Sequence, residues 1–273
     1  MSYRSLMVHV ELDPSNDSRL TVAGMLAASF DASLIGIAAA DPNPPAYGGS
    51  GLAAGLVVQE KERIHAQMAQ AEKRFRAATA GNVPRIEWRQ GFDKPNIFLA
   101  RESRAADVVI IGPNRAGAVR DPFHVLDADI LIMHAGRPIL LVPSETETLS
   151  VKTVVVGWKD TREARRAIWD ALPLLGRAEY VVVAEVSEQG DAPAVRTRTD
   201  DVAKWLTSHG VAAIGRAVKG DDAAKLLPEL ASEESADLIV SGAYGHSRMQ
   251  EWIWGGVTRS LLTTARCCCL LAH

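Results

Sequence analysis

Ala106-Asp107-Val108-Val109-Ile110-Ile111-Gly112 and Ala236-Asp237-Leu238-Ile239-Val240-Ser241-Gly242 are the same phrase written twice, 130 residues apart. Each is an aspartate, a short apolar run and a glycine, the pattern of a strand buried on both faces that ends where the backbone must turn sharply. The offset of 130 returns further on, where Ala135-Gly136-Arg137-Pro138-Ile139-Leu140-Leu141 matches Ala265-Arg266-Cys267-Cys268-Cys269-Leu270-Leu271. At the front of each copy Leu6–Val10 corresponds to Thr153–Gly157 at an offset of 147, so the first copy carries 17 extra residues. An internal repeat of this length divides the chain into two domains, 1–147 and 151–273.

The 17 residues fall in the Pro/Gly-rich stretch from Pro42 to Val58, PNPPAYGGSGLAAGLVV, which reads as a flexible loop. Gly49-Ser50-Gly51 and Gly55 lack the spacing of a dinucleotide loop, and no strand precedes them.

Around these anchors, apolar runs alternate with amphipathic windows. Leu6–Val10, Leu34–Ala39, Val83–Arg89, Val108–Ile111 and Ile139–Val142 read as strands. Between them, Ser15 or Asn16 caps a helix through Leu20, Ala23, Ala27 and Phe30. Ile64, Met68, Ala71, Phe75 and Ala78 mark a long helix, and Pro95–Arg104 and Asp129–His134 mark two more. The second copy repeats the order. Buried strands alternating with helices predict an α/β class: two tandem doubly wound parallel-sheet domains of the Rossmann-like kind, with helices on both faces. Such sheets bind ligands beyond the carboxyl ends of the strands, where the strand order reverses.

Composition narrows the function. The 273 residues are 47% apolar and 23% charged, a balance of folded water-exposed domains. Thirty basic against 33 acidic residues give a net charge of −3, which argues against nucleic acid as a partner. No run of eighteen apolar residues occurs, so no membrane span is expected. Arg4, His9, Glu11 and Asp13 interrupt the N-terminal apolar stretch, and the protein is expected in the cytoplasm. The three cysteines, Cys267, Cys268 and Cys269, are consecutive. Neighbouring strand residues point to opposite faces, so they read as small core residues, and a thiol facing solvent would reopen a redox or metal role. The seven histidines show no metal-ligand spacing.

The informative motif lies after the repeated strand in the second copy. Gly242-Ala243-Tyr244-Gly245-His246 is followed by Gly255-Gly256-Val257-Thr258 at the head of an apolar helix. Glycines there let the backbone approach a ligand, and a helix N-terminus with free N–H groups favours an anion such as phosphate. The run GAYGHSRMQEWIWGGVTRSLL resembles the universal stress protein signature Gly-x2-Gly-x9-Gly-(Ser/Thr), over nearly the whole second half and more weakly over the first. The resemblance implies an adenine-nucleotide α-hydrolase-like fold and ATP or ADP as ligand.

By position, the resemblance puts Gly242, Tyr244, Gly245 and His246 at the ribose and phosphates. Gly255, Gly256, Val257 and Thr258 would stand around the phosphate tail, Trp158, Lys159, Asp160 and Thr161 beside the adenosine, and Val186 near the adenine. Two positions depart from the pattern. Gly256 stands where a hydroxyl is expected, and Lys159 where an acid is usual, with Asp160 one place late. In the first copy Arg115 replaces the second glycine and Val125 and Leu126 replace the later pair, so that site is expected to be closed or to bind something else. The resemblance also implies a pseudo-two-fold pairing of Ile139–Val142 with Cys269–Ala272 inside one chain, and is compatible with a homodimer.

Asp221 and Asp222 resemble a carboxylate pair but read as a helix cap. There is no nucleophile elbow and no Walker loop, and nothing pairs a nucleophile with a base. The expectation is therefore a non-catalytic stress-response module. A scaffold of the same fold without nucleotide and a slow nucleotide hydrolase are the alternatives.

Overall fold

The computed structural model describes residues 2–13, 18–42, 50–114, 121–188, 190, 192–245 and 256–273, with 50–54 described by their backbone alone. In chain order the elements are β1 (Ser5–His9), α1 (Ser18–Phe30), β2 (Ser33–Ala39), α2 (Ser50–Thr79), β3 (Ile86–Gly91), α3 (Pro95–Glu102), β4 (Val108–Ile111), α4 (Ala128–His134) and β5 (Ile139–Leu141). They continue as β6 (Thr153–Gly157), α5 (Arg162–Leu175), β7 (Tyr180–Ser187), α6 (Pro193–Ser208), β8 (Ala213–Lys219), α7 (Ala223–Glu233), β9 (Leu238–Gly242), α8 (Gly256–Thr264) and β10 (Cys268–Ala272).

All ten strands form one sheet in the order β3-β2-β1-β4-β5-β10-β9-β6-β7-β8. Within each half the pairs are parallel, and the order reverses between β1 and β4 and between β6 and β9. The halves meet antiparallel, Leu141 beside Cys269, Leu140 beside Leu270 and Ile139 beside Leu271. The repeat offset maps Leu140 onto Leu270, so each central leucine faces its own counterpart, the arrangement of a two-fold interface. The expected pairing of these two strands is present.

Alternation along the strands separates two cores. Val8, Ile110, Leu140, Val156, Val240 and Leu270 point to the face covered by α1, α2, α5 and α6. Met7, Ile111, Leu141, Ile239, Cys269 and Leu271 point to the face covered by α3, α4, α7 and α8. Each core runs across both halves. Further contacts reinforce the junction. The Tyr3 hydroxyl donates to the Asp170 carbonyl at 2.6 Å, and the Arg177 guanidinium lies 3.6 Å from the Phe30 ring centroid while donating to the Ser29 hydroxyl at 2.7 Å.

The repeated aspartate has the same task twice. Asp107 accepts from the N–H groups of Arg4 and Ser5 at 2.7 and 3.0 Å, and Asp237 accepts from those of Lys152 and Thr153 at 2.7 and 3.0 Å. Each thus clasps the start of the neighbouring strand. Desolvation raises the Asp237 pKa, but the hydrogen bonds from Ser150, Thr153 and Lys152 outweigh it and hold the carboxyl below its usual range. With a depressed folded pKa, this stabilisation is complete above the unfolded carboxylate value of about 4 and fades as pH falls through the lower folded one. Asp237→Ala should cost about 2 kcal/mol at neutral pH. In urea denaturation the gap to the unsubstituted protein should narrow on acidification; a gap constant down to pH 2 would exclude this role.

Three expectations need correction. The Pro42–Val58 loop is helical from Ser50 onward. Composition misled there, because Gly55 has nothing among the described residues within 4 Å of where a Cβ would stand and is an exposed helical glycine tolerated at modest cost. β3 begins at Ile86 rather than at Val83, because the chain first closes α2 through the Gly81 turn, with the Val83 N–H on the Thr79 carbonyl. The Pro95–Arg104 helix divides into α3 and a 3-10 turn, Ser103–Ala105. Asp222 caps α7, its side chain accepting from the Lys225 N–H, as the cap reading expected. The proposed caps Ser15 and Asn16 lie outside the described residues.

Candidate functional site

The second half's order reversal places the carboxyl ends of β6 and β9 side by side, Gly157 against Ser241. Beyond this floor the chain leaves along two flanks. On one, Trp158-Lys159-Asp160 leads into α5, whose N-cap Thr161 accepts from the Ala164 N–H at 3.3 Å. On the other, Leu227 of α7 packs within 2.6 Å of where a Cβ on Gly157 would stand, and Ala224 within 3.6 Å of the same point on Gly256. One turn of α7 therefore joins the end of β6 to the first residue of α8.

The glycines differ in what they permit. A Cβ on Gly242 would lie 2.6 Å from the Ala164 nitrogen and 2.7 Å from the Glu163 carbonyl carbon. At Gly242, where the expected approach was that of a ligand, the first turn of α5 packs on the strand end. Among the described residues, the nearest atom to a Cβ at Gly245 would be Glu163 Oε2 at 3.4 Å, and at Gly256 the Ala224 Cβ at 3.6 Å.

Glu163 escaped the sequence reading. The inward stripe Glu163, Ala164, Ala167, Ile168 and Ala171 could have revealed it, since it shares the buried face of α5. Its side chain is 2% exposed and accepts from Arg162 Nε at 2.6 Å. Desolvation raises its pKa, yet hydrogen bonds from Arg162, its own backbone N–H and Thr161 outweigh this and leave it below the usual carboxylate range. A buried, ionised carboxylate thus borders the Gly245 turn.

Tyr244 takes a left-handed conformation with φ of 52°. Its position was expected to line the ribose and phosphates; its hydroxyl donates to Asp129 in α4 of the other half. The second oxygen of Asp129 accepts from Asn114 Nδ2 at 3.0 Å. Asn114 is the counterpart of Tyr244 at the repeat offset, so the equivalent turns of both halves converge on one carboxylate. Burial, then the hydrogen bond to Asp129, pushes the tyrosine pKa well above its ordinary value.

The remaining positions divide by exposure. Trp158 is buried, its N–H continues the sheet to the Ala184 carbonyl at 2.8 Å, and its indole Nε1 has no partner among the described residues. Lys159 and Asp160 are exposed, and Asp160 pairs with Arg165. Val186 lies at the end of β7, opposite Val218 and partly buried. Gly256 opens α8, Val257 packs on the second core and Thr258 is buried. His246 and Gly255 lie outside the described residues, as does Arg115 of the first half. Val125 is exposed and Leu126 is partly buried against the second core.

Among the described residues no group of three or more His, Cys, Asp or Glu could hold a metal, and no helix is long and apolar enough to cross a membrane. Cys268 and Cys269 are buried, and burial pushes the Cys268 thiol up to about 12. Cys267 is partly exposed and lines a cavity of about 800 Å³ between α7 and α8.

Residues 150–273 match the model of the universal stress protein family. A universal stress protein from Archaeoglobus fulgidus DSM 4304 superposes with a TM-score of 0.73 at 14% identity, over 98% of this chain and 95% of that one. A functionally unknown protein from Pseudomonas aeruginosa PAO1 superposes at 0.60 with 16% identity, over 99% and 92%. No curated protein matches the sequence. Over residues 150–273 the chain is similar to the universal stress protein family, and its first half repeats the same strand order to complete the two-part fold.

Proposed function

We propose that the chain is a non-catalytic stress-response module whose second half binds an adenine nucleotide, ATP or ADP, and that occupancy alters its shape or contacts. The observation that carries this reading is the order reversal: the ends of β6 and β9 lie side by side there, with the Gly245 turn against Glu163 and the first residue of α8 against Ala224. Main-chain amides at the start of a helix hold phosphate without a side-chain hydroxyl. The unpartnered Trp158 indole lies in the segment assigned to the adenosine. Glu163 sets the orientation. Its charge beside Gly245 repels a phosphate there, so the phosphate tail belongs toward Gly256 and the uncharged nucleoside toward Glu163.

Calorimetric titration of the full chain with adenosine, ADP and ATP tests this. Gly256→Ser, whose Cβ would meet the described residues only at ordinary contact distance, should tighten ADP and ATP about tenfold through an added hydroxyl. Glu163→Gln should improve ATP more than adenosine. A second reading, a scaffold of the same fold without nucleotide, is favoured by the engagement of Tyr244 with Asp129. No heat of binding for any of the three ligands in the unsubstituted chain or either variant would decide for the scaffold.

A further inference from the structure

The order reversal of the first half, between β1 and β4, lacks the later glycines of the second-half motif: Val125 and Leu126 stand in their places. A ligand there cannot rely on the same bare main chain. The position instead carries a buried cation. Arg19, in the first turn of α1, has a side chain only 8% exposed. Its Nη2 pairs with Glu11 Oε1 at 2.7 Å. Its Nη1 is buried with no hydrogen-bond partner among the described residues. That nitrogen lies 2.8 Å from where a Cβ on Gly112 would stand, at the carboxyl end of β4. His9, the last residue of β1, is also buried; burial, then the Arg19 charge, lowers its pKa to about 4, so its ring is neutral at physiological pH.

A buried N–H of a charged group left without an acceptor is costly, and rare enough in folded proteins to call for a missing partner. The comparison of halves identifies its charge. Gly112 and Gly242 are equivalent, and each is packed by the first turn of the helix that follows its half's first strand: in the second half by the residue pair Glu163-Ala164, in the first by Arg19. One turn presents a carboxylate near the strand ends, paired with Arg162, and the other a guanidinium, paired with Glu11 through Nη2 alone.

We infer that the first half holds an oxyanion site, in which Arg19 Nη1 donates to a phosphate or carboxylate oxygen at the carboxyl ends of β1 and β4. The site is independent of nucleotide binding in the second half. Its occupant satisfies the N–H that Glu11 leaves free, and it lies close enough to His9 to offset part of the Arg19 field.

The test uses the full chain with inorganic phosphate and, separately, succinate, titrated at constant ionic strength against chloride. Thermal unfolding and the NMR resonances of the His9 ring, assigned from a His9→Gln spectrum, are followed together. The expected result is a saturable rise in Tm accompanied by a shift of the His9 ring. Both should weaken at least tenfold in Arg19→Gln and in Gly112→Ala. The second variant keeps the Arg19–Glu11 pair and displaces only the end of a flexible side chain, so it carries the test if Arg19→Gln does not fold. A response to phosphate alone, to succinate alone or to both supports the site and names the source of its oxyanion. A rise in Tm without movement of His9 places the anion elsewhere and overturns the proposal. So does a response unchanged in Gly112→Ala, or no response at all, which would leave the Nη1 hydrogen to water.

Discussion

Gly242→Ala should lower stability by about 3 kcal/mol, the upper end of the usual cost of forcing one methyl group into a packed interior. The reason is what the methyl would meet. At 2.6 Å from the Ala164 nitrogen and 3.0 Å from its Cα, it would collide with main chain and not with the movable end of a side chain. Relief requires α5 to lift from the sheet, which disturbs the packing of Ala164, Ala167 and Ile168 in the first core. Replacing glycine also restrains the unfolded chain, which favours folding by about 0.4–1 kcal/mol, too little to offset the collision. Gly245→Ala and Gly256→Ala should stay within about 1 kcal/mol of the unsubstituted protein, since their Cβ atoms would find ordinary contacts at 3.4 and 3.6 Å. Urea midpoints of the three variants decide the matter. Similar midpoints would show that α5 does not bear on Gly242 as described, and would return that glycine to the candidate ligand surface.

The same residue shows how far the sequence could be read. A glycine at the end of a buried strand signals close approach without naming what approaches; that α5 packs there depends on how the helix returns across the sheet. Strands were legible because runs such as Val108–Ile111 are buried on both faces and bear no polar interruption. The repeated aspartate was visible as a pattern, but its work of clasping the adjacent strand appears only once β1 pairs with β4 and β6 with β9. Glycine content hid the first turns of α2, since exposed helix tolerates glycine when nothing packs against it. The bridge from Tyr244 to Asp129 spans 115 residues and arises from the antiparallel joining of the halves, which brings two equivalent turns together. No local spacing encodes such a contact. The buried charges were missed for a related reason: Glu163 and Arg19 look like ordinary residues of a helix's first turn until the helix is docked over the strand ends.

The antiparallel seam between β5 and β10 should be among the costliest places in the chain to disturb, and its symmetry gives the expectation a distinctive form. Leu140 and Leu270 face one another, are 1% and 0% exposed, and contribute to the same core. Truncating either to alanine removes buried methyl groups and leaves a cavity, at about 2–5 kcal/mol. Because the two occupy equivalent environments about a local two-fold, the two single substitutions should differ by less than about 1 kcal/mol. As contacting neighbours, they should not be additive in the double variant, which opens one shared cavity. Leu270→Asp is expected to be worse than either alanine, since it buries a carboxylate with no partner in an apolar layer. Three paired residues would be a slender junction alone, but both cores cross it and the contacts of Tyr3 and Arg177 flank it, so unfolding in urea should remain a single transition. A large cost at Leu270 with almost none at Leu140, or two separate transitions in the unsubstituted chain, would mean that the halves fold without regard to each other. In that case the convergence of Asn114 and Tyr244 on Asp129 could not transmit anything between the two reversal points.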